Sequence, residues 1–316
     1  MAKTVRKAGA KLSIESHQSN PKRVTMNPVI VELLTLLQLE ALEVNLFRGQ
    51  SRNIVGKNVF GGQVLGQALM AAGRTVDQGR LAHSLHGYFL KAGDTTAPII
   101  YEVDRLRDGK SFINRQVTAI QHGQPIFVCS ASFASHEEGL DHQATMPKVE
   151  GPEGLANEFE LRQQLASLLP EKIRNSFVRE RPIEIRPINP VNPFAPTKQD
   201  AHRFHWMRAQ DILPDDPLLH QCALAFASDF ALMGTAMLPH AVTFMQSNLQ
   251  AASLDHSIWF HRPFRMDEWL LYEMEAPNAN AGRGLNFGKI YSQDGRLVAS
   301  TAQEGLMRLR EVPEKY

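Results

Sequence analysis

Asp229, Ser253 and Gln303 are the side chains in this chain whose types and positions suit them to joint chemistry. Asp216-Pro217 opens a helical pattern that reads as continuing to about Met237. Within it, Asp229 has Ala225, Phe226, Leu232 and Met233 three or four residues away, and Cys222 and Ala236 seven away. The carboxylate therefore projects from an apolar face. Burial there is costly unless the acid is hydrogen-bonded or paired. Two readings stay open for Asp229 alone: an acid satisfied by backbone or a basic partner, or one whose perturbed ionisation serves a reaction. Gln303 poses the same question on a strand. Alternation groups it with Leu297, Ala299 and Thr301, although a lone Gln near a strand end reads as an amide facing water. Ser253 stands at the head of an aromatic strand-like run over 253–262, where a single serine reads as a turn hydroxyl bonding local backbone.

An internal duplication raises the weight of the three. His83-Ser84-Leu85-His86 is echoed by His256 and its neighbours at an offset of 256 − 83 = 173, and Gly109 by Gly282 at 282 − 109 = 173. A fixed offset over such a span marks two copies of one unit. Matching the copies sets Gly61 opposite Asp229, Arg80 opposite Ser253 and Phe133 opposite Gln303. The polar groups are confined to the later copy.

The elements that must position them follow from local signals. Asn27-Pro28 opens a helix with Ile30, Leu33, Leu34 and Leu37 as its stripe. Gly61-Gly62 precede a second helix, rich in small residues that permit close approach to a sheet. Extended runs at 83–90, 98–106, 112–121 and 125–134 follow, separated by turn signals such as Asp108-Gly109 and His122-Gly123. The later copy repeats the order, with strands at 253–262, 268–276, 284–292 and 296–308. One helix followed by antiparallel strands, twice, is an α+β architecture. The expected division is a basic tail over 1–27, a first unit over 28–139, a linker with helix over 140–200 and a second unit over 201–316. The linker reads as helical over 155–177 and then as an extended connector punctuated by Pro182, Pro187, Pro190, Pro193 and Pro196.

Bulk properties exclude several classes. A net charge of +1 gives no nucleic-acid surface. No continuous apolar run of membrane-spanning length is present, so no membrane partner is expected. Residues 1–25 are basic and lack the apolar core of a secretory signal; a disordered tail is the expectation, with a transit peptide as the alternative. Cys129 and Cys222 sit in apolar runs and read as buried thiols of a reducing compartment, which sets a cytoplasmic location as the expectation. Asp255-His256-Ser257 is not a relay triad, because neighbouring strand residues face opposite ways. His256 and His261 lack further ligands at metal spacing. The glycines from Gly282 to Gly288 miss the phosphate-loop spacing by one residue.

The chain resembles the acyl-CoA thioesterase II family. The resemblance rests on Leu46-Phe47-Arg48-Gly49-Gln50, Phe60-Gly61-Gly62-Gln63-Val64, Leu106-Arg107-Asp108-Gly109, Ala227-Ser228-Asp229, Leu254-Asp255-His256-Ser257 with Trp259-Phe260-His261-Arg262-Pro263-Phe264, and Gln303-Glu304-Gly305. It runs from roughly residue 28 to 308. It implies a double hotdog, two tandem helix-wrapped antiparallel sheets, and hydrolysis of fatty acyl-CoA to free CoA and a fatty acid. By motif, the family's water-orienting Asp, Ser or Thr, and Gln fall on Asp229, Ser253 and Gln303. The resemblance implies no metal and no separate cofactor, acyl-CoA as the partner, and a homo-oligomer, dimer or tetramer. A hotdog hydratase and a non-catalytic acyl-CoA carrier are the alternative functions.

Overall fold

The computed structural model describes residues 26–311. The basic tail expected over 1–27 therefore lies, but for its last two residues, outside the described residues. Asn27 caps α1 (Pro28–Leu37), its side chain accepting from the Val29 N–H at 3.1 Å. The hairpin β1 (Glu40–Glu43) and β2 (Leu46–Gly49) leads to α2 (Gly61–Gly73). Then come β3 (Leu81–Phe89), β4 (Ile99–Asp108), β5 (Phe112–Gln121) and β6 (Gln124–Ala134). Beyond them are α3 (Glu158–Leu165), α4 (Glu171–Phe177), β7 (Ile183–Pro187) and β8 (His202–Ala209). The last stretch holds α5 (Pro217–Ser228), a 3-10 segment (Met233–His240), and β9 (Leu249–Ser253), β10 (Asp255–Phe260), β11 (Leu270–Asn280), β12 (Arg283–Ser292) and β13 (Leu297–Leu309).

The strands join in one antiparallel sheet, ordered β1-β2-β4-β5-β6-β3-β10-β13-β12-β11-β8-β7, with β9 paired to β13 off that path. The order is a palindrome: each strand of the first half has its counterpart at the mirrored place. The seam is β3 against β10, where Leu85 faces Ile258. Since 258 − 85 = 173, the facing pair are each other's counterparts, so the pseudo-twofold axis of the duplication passes between them. The two units are thus not separate sheets. Pairing at the seam satisfies two edges that would otherwise expose unpaired backbone groups.

Two expectations about elements change. The proline-rich stretch is not wholly connector: between Pro182 and Pro187 the chain forms β7, which pairs with β8 at the end of the sheet, where proline is tolerated. The helix expected to run to Met237 stops at Ser228. Asp229 is its C-cap (φ −82°, ψ −11°), and Ala231 takes the left-handed conformation at φ 66°. A left-handed residue just past the last turn ends a helix. The stretch Pro217–His240 is apolar enough by length and composition to cross a membrane, yet its most apolar window is 78 % buried inside the protein.

α2 and α5 pack antiparallel, Gly62 meeting Phe226, Gly66 meeting Cys222 and Gly73 meeting Leu218. Gly62 is needed where they meet, since a Cβ there would lie 2.2 Å from the Phe226 carbonyl oxygen. Contact this close is available only to glycine.

Candidate active site

The broken end of α5 meets the start of α2 at Asp229. Its side chain is 6 % exposed. Gln303 Nε2 donates to Oδ1 at 2.6 Å, and the Gly62 N–H donates to Oδ2 at 2.9 Å. The second donor belongs to the first turn of α2, whose free N–H groups and partial positive charge favour an anion. Burial pushes the Asp229 carboxyl above the ordinary aspartate range, and the hydrogen bonds from Gln303, Gly62 and Ser253 work against that rise. The acid is therefore hydrogen-bonded, while burial still leaves its ionisation perturbed. The two open readings of Asp229 are not exclusive.

Gln303 is fully buried, not an amide at a frayed strand end. It sits mid-strand in β13, and its Nε2 lies 3.2 Å from Ser253 Oγ as well as on Asp229. Asn286 of β12, directly opposite Gln303, donates to the Gln303 carbonyl oxygen at 3.3 Å and fixes the strand behind it.

Ser253 reaches the site through a break in the strand expected over 253–262. Ser253 ends β9 opposite Gly305, a register sum of 253 + 305 = 558. Ser257 of β10 faces Ala302, a sum of 257 + 302 = 559. One residue has been inserted between them. A register slip of one moves side chains to the other face. Ser253 and His256, an odd number of residues apart, therefore point to the same side.

His256, set aside in the sequence as a relay member and as a metal ligand, joins this network in another way. Continuing the register of β10 places it opposite Gln303, and its Nδ1 is 3.1 Å from Gln303 Nε2. Its Nε2 is 2.9 Å from Ser228 Oγ. The ring is fully buried, which pulls its pKa down to about 3. The available signal was its place within the run that carries Ser253. Asp255 and Ser257 turn elsewhere: Asp255 accepts from the Glu304 N–H, and Ser257 Oγ meets His86 Nδ1. No relay triad forms.

The three side chains expected to act together all belong to the second half. Asp229, Ser253 and Gln303 do converge there, but the Gly62 amide comes from the first half. Gly61 and Asp229, matched as counterparts, are packing neighbours: a Cβ on Gly61 would lie 2.7 Å from Asp229 Oδ2. Arg80 binds the Gly109 and Lys110 carbonyl oxygens, and Phe133 is fully buried. Among the described residues, no group of three or more His, Cys, Asp or Glu is placed to hold a metal ion.

A palindromic antiparallel sheet laid over two crossed helices defines a tandem hotdog protein. A protein with the hot dog fold from Alicyclobacillus acidocaldarius superposes with a TM-score of 0.71 at 22 % identity, over 89 % of this chain and 99 % of that one. Residues 50–134 match the acyl-CoA thioesterase N-terminal domain, and residues 172–306 match the acyl-CoA thioesterase family. Acyl-CoA thioesterase 2 of Haemophilus influenzae is 44 % identical over 90 % of this chain and 100 % of its own length. The acyl-CoA thioesterase II TesB2 of Mycobacterium marinum is 42 % identical with a TM-score of 0.72, covering 88 % of this chain and 99 % of that one. The chain belongs to the acyl-CoA thioesterase II family.

Proposed function

We propose that the protein hydrolyses fatty acyl-CoA thioesters through a water molecule activated by Asp229 and oriented by Ser253 and Gln303. The observation that carries this is the convergence of one buried, proton-hungry carboxylate with a hydroxyl and an amide that are far away in sequence. In the reaction, the water oxygen bonds to the thioester carbonyl carbon while Asp229 takes its proton. The C–S bond then breaks, and the proton passes to the departing CoA thiolate. Ser253 and Gln303 hold the water in line, which is a contribution of orientation. At the start of α2 the Gly62 and Gln63 amides are already taken, by Asp229 and by the Phe60 carbonyl oxygen, so neither is a free donor for the oxyanion. Phe226 and Phe230, whose rings pack edge to face with centroids 5.6 Å apart, are the apolar surface beside Asp229 in the chain and the proposed contact for the acyl group.

Nothing in this chemistry calls for a metal or separate cofactor, and we propose none. A homo-oligomer in the cytoplasm stays part of the proposal, as does the division at 28–139, 140–200 and 201–316. The test is CoA release from a medium-chain acyl-CoA by wild type and Asp229→Asn. Loss of a general base lowers kcat on the order of 10²–10⁴-fold. Unchanged turnover by a folded Asp229→Asn protein overturns the proposal.

A further inference from the structure

We propose that His256 is a positioning residue for the hydrolysis: its ring decides which way the Gln303 amide faces, and so keeps an amide N–H on Asp229. This rests on the reading that Asp229 and Gln303 serve the water.

The hydrogen-bond directions follow from one fixed group. Ser228 Oγ donates to the Ala225 carbonyl oxygen at 2.9 Å, so toward His256 Nε2 it accepts. Nε2 therefore carries the ring proton, and Nδ1 presents a lone pair. The Gln303 atom 3.1 Å from that lone pair must be the NH2 end. One of its N–H groups points to Asp229 Oδ1 at 2.6 Å, and the other lies toward His256 Nδ1, with Ser253 Oγ at 3.2 Å also in reach.

Rotating the amide by half a turn would set Oε1 against the Asp229 carboxylate and against the Nδ1 lone pair. Both contacts would be repulsive. A protonated His256 would set the two contacts against each other, because its Nδ1–H would seek Oε1 while Asp229 still seeks an N–H. Burial prevents this by holding the ring neutral down to about pH 3. Ser228 is itself held: Tyr272 Oη donates to its carbonyl oxygen at 3.0 Å and meets Thr301 Oγ1 at 2.8 Å. The chain of control runs Tyr272, Ser228, His256, Gln303, Asp229. At its end, Gln303 Oε1 is buried with no protein partner, an acceptor for a donor entering the site.

The titratable groups facing Asp229 are few. His256 of β10 approaches to 3.9 Å, and Tyr272 of β11 adds a like-sign interaction if ionised. α2 offers the Gly62 amide, and β9 and β13 offer Ser253 and Gln303. A change in the pH profile on altering His256 therefore reports on Asp229.

The experiment compares His256→Asn with His256→Gln. The Asn side-chain oxygen falls near the place of Nδ1 and restores an acceptor for Gln303. The Gln amide reaches the place of Nε2, keeping Ser228 satisfied but leaving Gln303 without its acceptor. His256→Gln is expected to lose about tenfold to a hundredfold in kcat with KM within about twofold. Its acid limb in kcat/KM should move to higher pH, because Asp229 loses a donor. His256→Asn should recover most of both.

Equal losses in the two folded variants with no movement of the acid limb would reduce His256 to filler and overturn the proposal. So would wild-type activity in His256→Gln. Should His256→Gln not fold, the nitrogen chemical shifts of labelled histidine in the wild type, with Ser228→Ala for assignment, decide it. A ring protonated at Nε2 supports the proposal, and one protonated at Nδ1 refutes it. Asp229→Asn run in parallel separates the two failures. If it stays active, the water mechanism itself falls; if it is inactive while His256→Gln is unimpaired, only the role of His256 falls.

Discussion

The same histidine, 173 residues apart, has opposite surroundings in the two halves of the molecule. His256 is buried against Ser228 and Gln303. His83 is half-buried, bonds Ser132 Oγ at 2.8 Å and packs edge-on to Phe112. The cause is where one extra residue enters each strand. In β3 the register slips between Ala82 and Ser84, so His83 is the bulged residue and turns away from the helices. In the second half the slip falls before β10, so His256 stays in regular strand and points inward. Ala82 faces Phe133 in the first half, where His256 faces Gln303 in the second. One place in the fold is packed with a ring and an alanine, and its counterpart with a polar network. Duplication supplied two equivalent places beneath the sheet. A shift of one residue and a few substitutions left one as apolar core and gave the other the polar network proposed as the site.

The largest expected effects test that division. Asp229→Asn should lose on the order of 10²–10⁴ in kcat with thermal unfolding still cooperative. Phe133→Leu, at the matching place in the first half, should cost about 1 kcal/mol of stability and leave kcat within about twofold. A large loss of kcat in Phe133→Leu, measured on folded protein, would break the comparison.

Gly61→Ala probes the seam between halves. The new methyl would press on Asp229 Oδ2 and on the Phe89 ring, 2.7 and 3.0 Å away. A displaced carboxylate should lower kcat about tenfold or more, although Gly61 does no chemistry. Steady-state kinetics at wild-type values would show that the first half contributes nothing to the geometry.

Much of this was legible in the sequence, and the limits are physical. The offset of 173 located the duplication, and the strand at 112–121 falls where β5 is found. The helix ending at Ser228 was not legible, because Ala231 takes a left-handed conformation that alanine rarely adopts and no glycine or proline stands there to announce it. The bulge before β10 was equally silent. His256 was weighed only as the centre of a relay with its chain neighbours and as a metal ligand, and alternation counted through the bulge would put it on the face opposite Ser253. The contribution of Gly62 is a long-range contact between helices, and a short motif does not report its partner.

Acid stability gives a finer comparison. A folded-state pKa of about 3 for His256 lies below the ordinary value of 6.5. The unfolded chain then binds the extra proton between those values. Stability is fully present above 6.5 and is lost as pH falls toward 3, at up to roughly 1.4 kcal/mol per pH unit. His256→Asn should flatten this fall more than His83→Asn, whose ring is only partly buried and less lowered. Denaturant midpoints across that pH range measure the difference; equal slopes would contradict the contrast in burial.

The smallest effect is expected at Ser253→Thr. The hydroxyl is kept and the added methyl restricts its rotamers, so kcat should stay level or rise by less than about threefold.

The central claim is that water, and not the Asp229 carboxylate, attacks the thioester. A single turnover in ¹⁸O-water, followed by mass spectrometry of the fatty acid and of the peptide containing Asp229, tests it most directly. The account predicts one ¹⁸O atom in the released acid and none in Asp229. Unlabelled acid with ¹⁸O in the Asp229 carboxylate would mean a covalent acyl-enzyme and would contradict it.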